Sequence, residues 1–201
     1  MIIEEIDYSD KYNLVILKIS GEDFSISYDL YNDLALSKDE EISFDTYKEI
    51  LADNQFNQAK NFALSKISYA QKTSFEIEKL LRGNDFDSDA TSKTIEFLEE
   101  YGLIDDDMYV KSYVSDKHNI SRWPKNKIRY SLKSKKIDDS LIESYLDDIP
   151  YEEEFEKALN FAKKKARDDF SNENKQKVYR YLAGKGFEFD IINKAISEVF
   201  S

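Results

Sequence analysis

Three leucines frame the folding problem. Leu81, Leu132 and Leu182 lie 51 and 50 residues apart, and the apolar residues around them recur with them. Ile77, Leu81, Phe86 and Ile95 align with Ile128, Leu132, Ile137 and Leu146, and again with Val178, Leu182, Phe187 and Ile196. Each set has the spacing of one apolar helix face, a turn and a second helix. An amphipathic leading helix precedes each set, over 56–70, about 106–116 and about 152–167. The recurrence predicts three tandem three-helix units spanning roughly 55–100, 105–149 and 151–200. A single unit this small cannot bury its apolar face alone, so the units are expected to stack into an elongated, curved array.

The first 43 residues read differently and form an N-terminal extension. The β-branched run Leu14-Val15-Ile16-Leu17-Lys18-Ile19 faces an alternating segment carrying Phe24, Ile26 and Tyr28, with Ser20-Gly21-Glu22-Asp23 between them. That pattern predicts a β-hairpin, with residues 2–6 as a further short strand. Leu30, Leu34 and Ala35 fit a short helix, and Ser43 can cap the next one. Thr73-Ser74-Phe75-Glu76 is a capping-box pattern, and Gly186 can close a helix in the left-handed conformation. Only five glycines and two prolines occur in 201 residues, which suits long helices better than a β-sandwich. The expected fold is mostly α, three tandem three-helix repeats with a small N-terminal β-hairpin.

Several kinds of chemistry are excluded by what is scarce. The chain has no cysteine and one histidine, His118, so disulfides, thiolate metal sites and a Cys or Ser–His nucleophile are not expected. His118 reads as an ordinary surface residue in a basic stretch. Asp105-Asp106-Asp107 and Glu152-Glu153-Glu154 read as acids at helix starts, placed there by the helix dipole, since no calcium loop follows. There is no phosphate loop and no dinucleotide fingerprint. No cofactor, no metal and no catalytic residue is expected. A basic, then apolar, leader is absent from the first residues and no apolar run reaches membrane-spanning length, which predicts a cytoplasmic protein without a membrane contact.

The formal charge of −12 conceals a gradient. Residues 1–110 hold 10 bases against 25 acids, whereas residues 111–201 hold 19 against 16. Residues 111–136 alone carry nine bases, opposed only by Asp116. The candidate contact residues therefore begin at Arg122, Trp123, Lys125, Lys127 and Arg129. Pro124 suits the first turn of a helix, where its missing N–H is not needed. Lys125 and Arg129 then share a face that Lys133, Lys135 and Lys136 continue, opposite a buried stripe of Ile128 and Leu132. Trp123 is either a contact anchor or a core residue. A second cluster, Lys163, Lys164 and Lys165 with Arg167, Lys175, Lys177, Arg180 and Lys185, extends the surface or forms a plain solvated face.

Four stretches resemble the RecX family. Lys72-Thr73-Ser74-Phe75-Glu76-Ile77-Glu78-Lys79-Leu80-Leu81 is similar to its first-repeat helix. Gly102-Leu103-Ile104-Asp105-Asp106, with the aromatic helix to Val114, is similar to its junction between repeats one and two. Ser121, Lys125, Ile128, Leu132 and Lys133 resemble the second-repeat helix, and Tyr181-Leu182-Ala183-Gly184-Lys185-Gly186-Phe187 with Ile191 resembles the closing turn of repeat three. The resemblance spans about residues 44–201. It implies a monomeric, non-enzymatic regulator of recombination, DNA repair and the SOS response. Its partner would be the RecA–DNA filament, with single-stranded DNA inside the filament as a further contact, and its effect would be to inhibit strand exchange and ATP hydrolysis. Asp85 and Lys136 stand where repeat three has Gly186, so the first two turns are expected to end by other chemistry. Two other classes fit the residues alone: an autonomous nucleic-acid-binding tri-helical module, which the acidity opposes, and a generic helical-repeat adaptor.

Overall fold

The computed structural model describes residues 1–9 and 13–201 and is mostly helical, with a small antiparallel sheet at the N-terminus. It divides into two compact units, residues 1–105 and 106–201.

In the first unit, strands β1 (Ile3–Ser9), β2 (Leu14–Ile19) and β3 (Glu22–Ser27) pair in the order β1-β2-β3. The predicted hairpin is present, and the further strand runs on to Ser9. Its turn is only Ser20-Gly21, with both residues left-handed (φ 52° and 79°). Two positive φ values match the right-handed twist of the flanking strands, which ordinary turns would splay. Val15, Leu17, Ile19, Phe24 and Ile26 alternate onto one buried face. A short helix, α1 (Tyr28–Asp33), follows.

Helix α2 (Phe44–Ile67), capped by Ser43, serves two cores. Its first half sends Ile50 into the sheet core, and its second half sends Ala59 and Ala63 into a helical one. Between them lies a polar seam along the open edge of β3. Asn54 Oδ1 accepts the Ser25 N–H at 2.8 Å, Asp53 Oδ2 accepts the Ser27 N–H at 2.5 Å, and Asn57 Nδ2 donates to the Ser25 carbonyl at 3.3 Å. An edge strand that would otherwise invite a foreign strand is covered in this way. The extension is thus welded to the first helical unit through a helix that starts 12 residues before the leading helix predicted from Phe56.

Three helical cores follow. Helices α2, α3 (Ser74–Arg82) and α4 (Ser88–Glu100) enclose Ala59, Ala63, Ile77, Leu81 and Leu98. Helices α5 (Asp106–Ser115), α6 (Lys125–Lys133) and α7 (Asp139–Asp147) enclose Val110, Val114, Ile128, Leu132, Ile142 and Leu146. Helices α8 (Tyr151–Ala166), α9 (Asn172–Lys185) and α10 (Phe189–Val199) enclose Ala158, Ala162, Val178, Leu182 and Ile196. Each leading helix offers small or β-branched residues four apart, which lets the next helix approach closely. The register slips once. Ile95, aligned with Leu146 and Ile196, is half-buried, while Leu98 one turn later is fully buried. Pro124 is the cap before α6 rather than part of its first turn.

The turn after each anchor leucine is built the same way three times, which corrects the expectation of different chemistry. The carbonyls of Leu81, Leu132 and Leu182, all fully buried, accept the N–H of Phe86, Ile137 and Phe187 at 3.3, 3.4 and 3.3 Å. The residue before each acceptance is left-handed: Asp85 at φ 62°, Lys136 at 59° and Gly186 at 97°. This is a Schellman closure, with the apolar residue folded back onto the same core. Glycine suits the third turn, where φ reaches 97° against 62° and 59° in the other two and a Cβ would already touch the Lys127 backbone at 3.4 Å. Asp85 and Lys136 are exposed there instead.

Three stability outcomes follow from these turns. Leu132→Ala, at a fully buried position, is expected to cost roughly 2–5 kcal/mol in chemical denaturation. Gly186→Ala should destabilise by about 1–2 kcal/mol, from the left-handed φ and the close contact together. Lys136→Gly should stabilise by roughly 0.5 kcal/mol, since it relieves the same conformation where nothing crowds it. Paired melts in which the two glycine changes fail to act in opposite directions would disprove the shared turn geometry.

Candidate functional site

The basic residues of the second unit divide by how their charge is used. Arg129 is clamped: Nε and Nη2 donate to Glu143 Oε1 and Oε2 at 2.6 and 2.8 Å, and Nη1 donates to Asn126. Glu188 Oε1 lies 3.7 Å away, so this guanidinium ties α6 to α7 and to the start of α10. The Arg129 fork holds the Glu143 carboxyl below its ordinary range, and Glu143 in turn raises Arg129. Lys133 pairs with Asp139 at 2.9 Å and Lys177 with Glu173 at 2.6 Å. Lys125 Nζ donates to the Ile149 carbonyl at 2.6 Å, and its backbone N–H donates to Glu154 at 3.2 Å. The predicted free face of Lys125, Arg129 and Lys133 is therefore largely a structural seam. The expectation that these residues stand clear of the packing is corrected for Lys125 and Arg129, both half-buried.

A different set of cations is not neutralised. Arg122, Lys127, Lys164 and Lys185 have no carboxylate within 4 Å among the described residues. Aromatic rings hold several ammonium groups in place instead. The α5 helix runs into a wide π-helical turn, Asp116–Ile120, and the Trp123 N–H donates back to the Lys117 carbonyl at 2.8 Å. That fold-back sets Trp123, half-buried against the second helical core, at the rim of a groove. Lys127 and Lys117 lie 4.0 and 5.0 Å from the Trp123 ring centroid. Lys185 lies 4.6 Å from the Phe161 centroid and 4.9 Å from that of Tyr181. A cation held on a π-face keeps its charge available, unlike one paired with a carboxylate.

These groups border two adjoining cavities. One, of about 250 Å³, is lined by Trp123, Lys127, Lys185 and neighbours. The other, of about 360 Å³, is lined by Arg122, Lys157, Asn160, Phe161 and Lys164. Arg122 and Phe161 belong to both. Arg122 is itself left-handed at φ 56°, a strained conformation for a long side chain that points to a positional demand at this spot.

His118 departs from its reading as a surface residue: it is 5% exposed. Its Nε2 lies 2.9 Å from Glu153 Oε2, and Lys157 Nζ lies 2.5 Å from its Nδ1. Glu154 is buried and accepts from Lys125, so the acidic triplet starts α8 but also supplies an internal network. Burial raises the Glu154 carboxyl and lowers the Lys157 amine, while the hydrogen bond from His118 lowers Glu153. Lys157, Asn160 and Phe161 escaped the sequence reading. Their signal was a charged residue at the inward positions of an amphipathic helix, since Glu154, Lys157, Ala158 and Phe161 share one face of α8.

The other candidates scatter. Lys135 stands over Tyr109 at 5.4 Å, and Lys136 is the left-handed turn residue. Lys163 is exposed, Lys165 lies over Tyr181, and Arg167 closes α8 in the left-handed conformation. Arg180 donates to the Gln176 carbonyl and, with Lys175, lines a separate depression. No helix is long and apolar enough to cross a membrane among the described residues.

The chain is similar to a defined set of proteins. Residues 105–146 match the family model described as the second three-helix domain of RecX, and residues 152–196 match its third. A protein of Clostridium perfringens named regulatory protein RecX is 31% identical over 86% of this chain and 83% of its own length. One of the same name from Finegoldia magna is 28% identical over the whole of both chains. The crystal structure of RecX from Lactobacillus salivarius, 32% identical, superposes with a TM-score of 0.67 over 73% of this chain and 97% of that one. A second crystal structure of regulatory protein RecX, at 24% identity, has a TM-score of 0.79 over 98% of both and shares the fold.

The Arg129–Glu143 clamp has a pH signature. A carboxyl whose folded pKa is depressed stabilises above its unfolded value and loses that contribution as pH falls through the folded one. Glu143→Gln should therefore lower the melting temperature at neutral pH, and the gap to wild type should close on acidification through the depressed range. Thermal melts at several pH values check this; a gap that stays constant into acid would mean that the ion pair contributes nothing.

Proposed function

The chain belongs to the RecX family, and from that premise we propose that it is a regulator without catalytic activity that binds the RecA–DNA filament and restrains strand exchange and ATP hydrolysis. The observation that carries the contact face is the groove of Arg122, Lys127, Lys164 and Lys185, whose charges no carboxylate among the described residues uses. An acidic wall of the filament, or phosphate of the single-stranded DNA within it, supplies the opposite charge. Exposed cations with a free ammonium or guanidinium contribute far more to such a contact than those already paired.

The regulator works as a cytoplasmic monomer, with three tandem units over roughly 55–100, 105–149 and 151–200 behind the extension at 1–43. An autonomous role on naked DNA is disfavoured by the 25 acids against 10 bases of residues 1–110, which oppose non-specific approach to phosphate. Lys125, Arg129 and Lys133 are poor probes of binding, because reversing them also breaks α6 away from its neighbours.

The informative test is the ATPase of the cognate RecA on single-stranded DNA, titrated with wild type and with Arg122→Glu/Lys127→Glu/Lys164→Glu at two salt concentrations. Wild type should inhibit, and the triple variant should need roughly tenfold more protein, with the difference shrinking at high salt. Lys177→Glu, which reverses an exposed cation already paired with Glu173, should inhibit like wild type. Equal inhibition by the groove variant removes the groove from the mechanism; no inhibition by wild type removes the mechanism.

A further inference from the structure

The larger of the two cavities in the groove has a composition of its own. It combines a guanidinium (Arg122), two ammonium groups (Lys157 and Lys164), one side-chain amide (Asn160) and one aromatic wall (Phe161) around about 360 Å³. No acidic residue lines it among the described residues. The nearest carboxylates lie behind Lys157: Glu154 Oε1 is 3.8 Å from its Nζ, and Glu153 is engaged by His118 at 2.9 Å. Arg122 and Lys164, at the mouth, have no counter-ion within 4 Å among the described residues. Arg122 is also close enough to Lys157 to disfavour its charged form. Like charges gathered in one concavity cost free energy in the empty protein, and an anion in the cavity would offset that cost.

We propose that this cavity is a binding site for a phosphate group, seated between Arg122, Lys157 and Lys164 with the Asn160 amide as a neutral donor. The inference rests on reading the groove as the contact face and names the chemistry that its deepest part recognises. A phosphate presents several oxygens in a tetrahedron, so a planar fork, two point charges and an amide can each donate to a different oxygen. A side-chain carboxylate offers two oxygens in one plane and would leave donors unused. The volume exceeds that of one phosphate, and Phe161 gives the remainder a flat apolar wall suited to the sugar or base attached to it. Lys157 is anchored from behind by His118 and Glu154, so one of the three cations is positioned before the ligand arrives.

The single tryptophan of the chain, Trp123, follows Arg122 in sequence and borders the adjoining cavity with it, which makes its fluorescence a local reporter. Full-length protein without RecA would be titrated with inorganic phosphate, with an oligothymidylate bearing a 5′-phosphate, and with the same oligomer lacking it. Ionic strength would be held constant with chloride, and calorimetry would follow the same titrations. Saturation by inorganic phosphate assigns the site to free phosphate. Saturation by the 5′-phosphorylated oligomer alone assigns it to a strand end, and equal saturation by both oligomers to the phosphodiester backbone; all three support the proposal. Arg122→Gln/Lys164→Gln should weaken the response roughly tenfold or more, whereas Lys163→Gln, on the same helix but outside the cavity, should leave it unchanged. No saturation by any probe in either measurement overturns the proposal, as does saturation that the double variant leaves intact. Because RecA is absent, these results are independent of whether the chain inhibits the filament.

Discussion

One hydrogen bond, repeated three times, holds the register of the helical part. The carbonyl of each anchor leucine accepts an N–H five residues on, and the left-handed residue between them reverses the chain. That closure fixes where the middle helix stops, where the apolar residue after it packs, and where the acid that starts the last helix falls. Asp87 and Asp138 cap α4 and α7 through their side chains, and Glu188 occupies the same place before α10. Burial of the leucine and satisfaction of its carbonyl are thus one event. A buried carbonyl left without a donor would cost about as much as a lost hydrogen bond, so the turn and the core stabilise each other.

The same logic explains why charge divides as it does in the second unit. Helices packed in triplets bring polar residues at their margins within reach of one another, and the margins become ion-paired: Arg129 with Glu143, Lys133 with Asp139. Cations escape pairing around the π-helical turn and the 121–124 loop, and on the stretches of α6, α8 and α9 that border them. There the partners are aromatic rings, which orient an ammonium without cancelling it. The groove is a product of that irregularity, and its residues come from a loop, from the outer side of α8 and from the end of α9.

Much of this was legible in the sequence. Apolar spacing located the three anchors, the capping box at Thr73, the cap at Ser43 and the hairpin, because burial and capping leave local signatures. The misreadings share a cause. The left-handed conformation of Lys136 and Asp85 has no signature in residue type, since φ values near 60° are open to residues other than glycine and only the 97° of Gly186 calls for it. His118 reads as a surface residue because its partners Glu153 and Lys157 are distant in sequence. Arg129 and Lys133 read as free because the carboxylates that take their charge lie on α7. Pairing across elements has no period, whereas helical faces do. The basic cluster was therefore visible as a composition, but its division into paired and unpaired cations was not.

The N-terminal extension shows what such pairing accomplishes when it is polar throughout. A small sheet has little core of its own, and β3 would expose an open edge. Asp53 and Asn54, with Asn57 one turn further along α2, satisfy that edge while Ile50 of the same helix fills the sheet core. Because α2 continues as the leading helix of the first helical triplet, the sheet cannot detach without exposing both the seam and Ile50. The first unit is thereby a single cooperative body that carries most of the chain's excess acid. In the proposed regulator, that body resists non-specific approach to polyanions, and attraction is confined to the cations of the second unit. Long-range repulsion from one body combined with short-range donors in the other favours a partner that offers a shaped anionic site over one that offers charge alone.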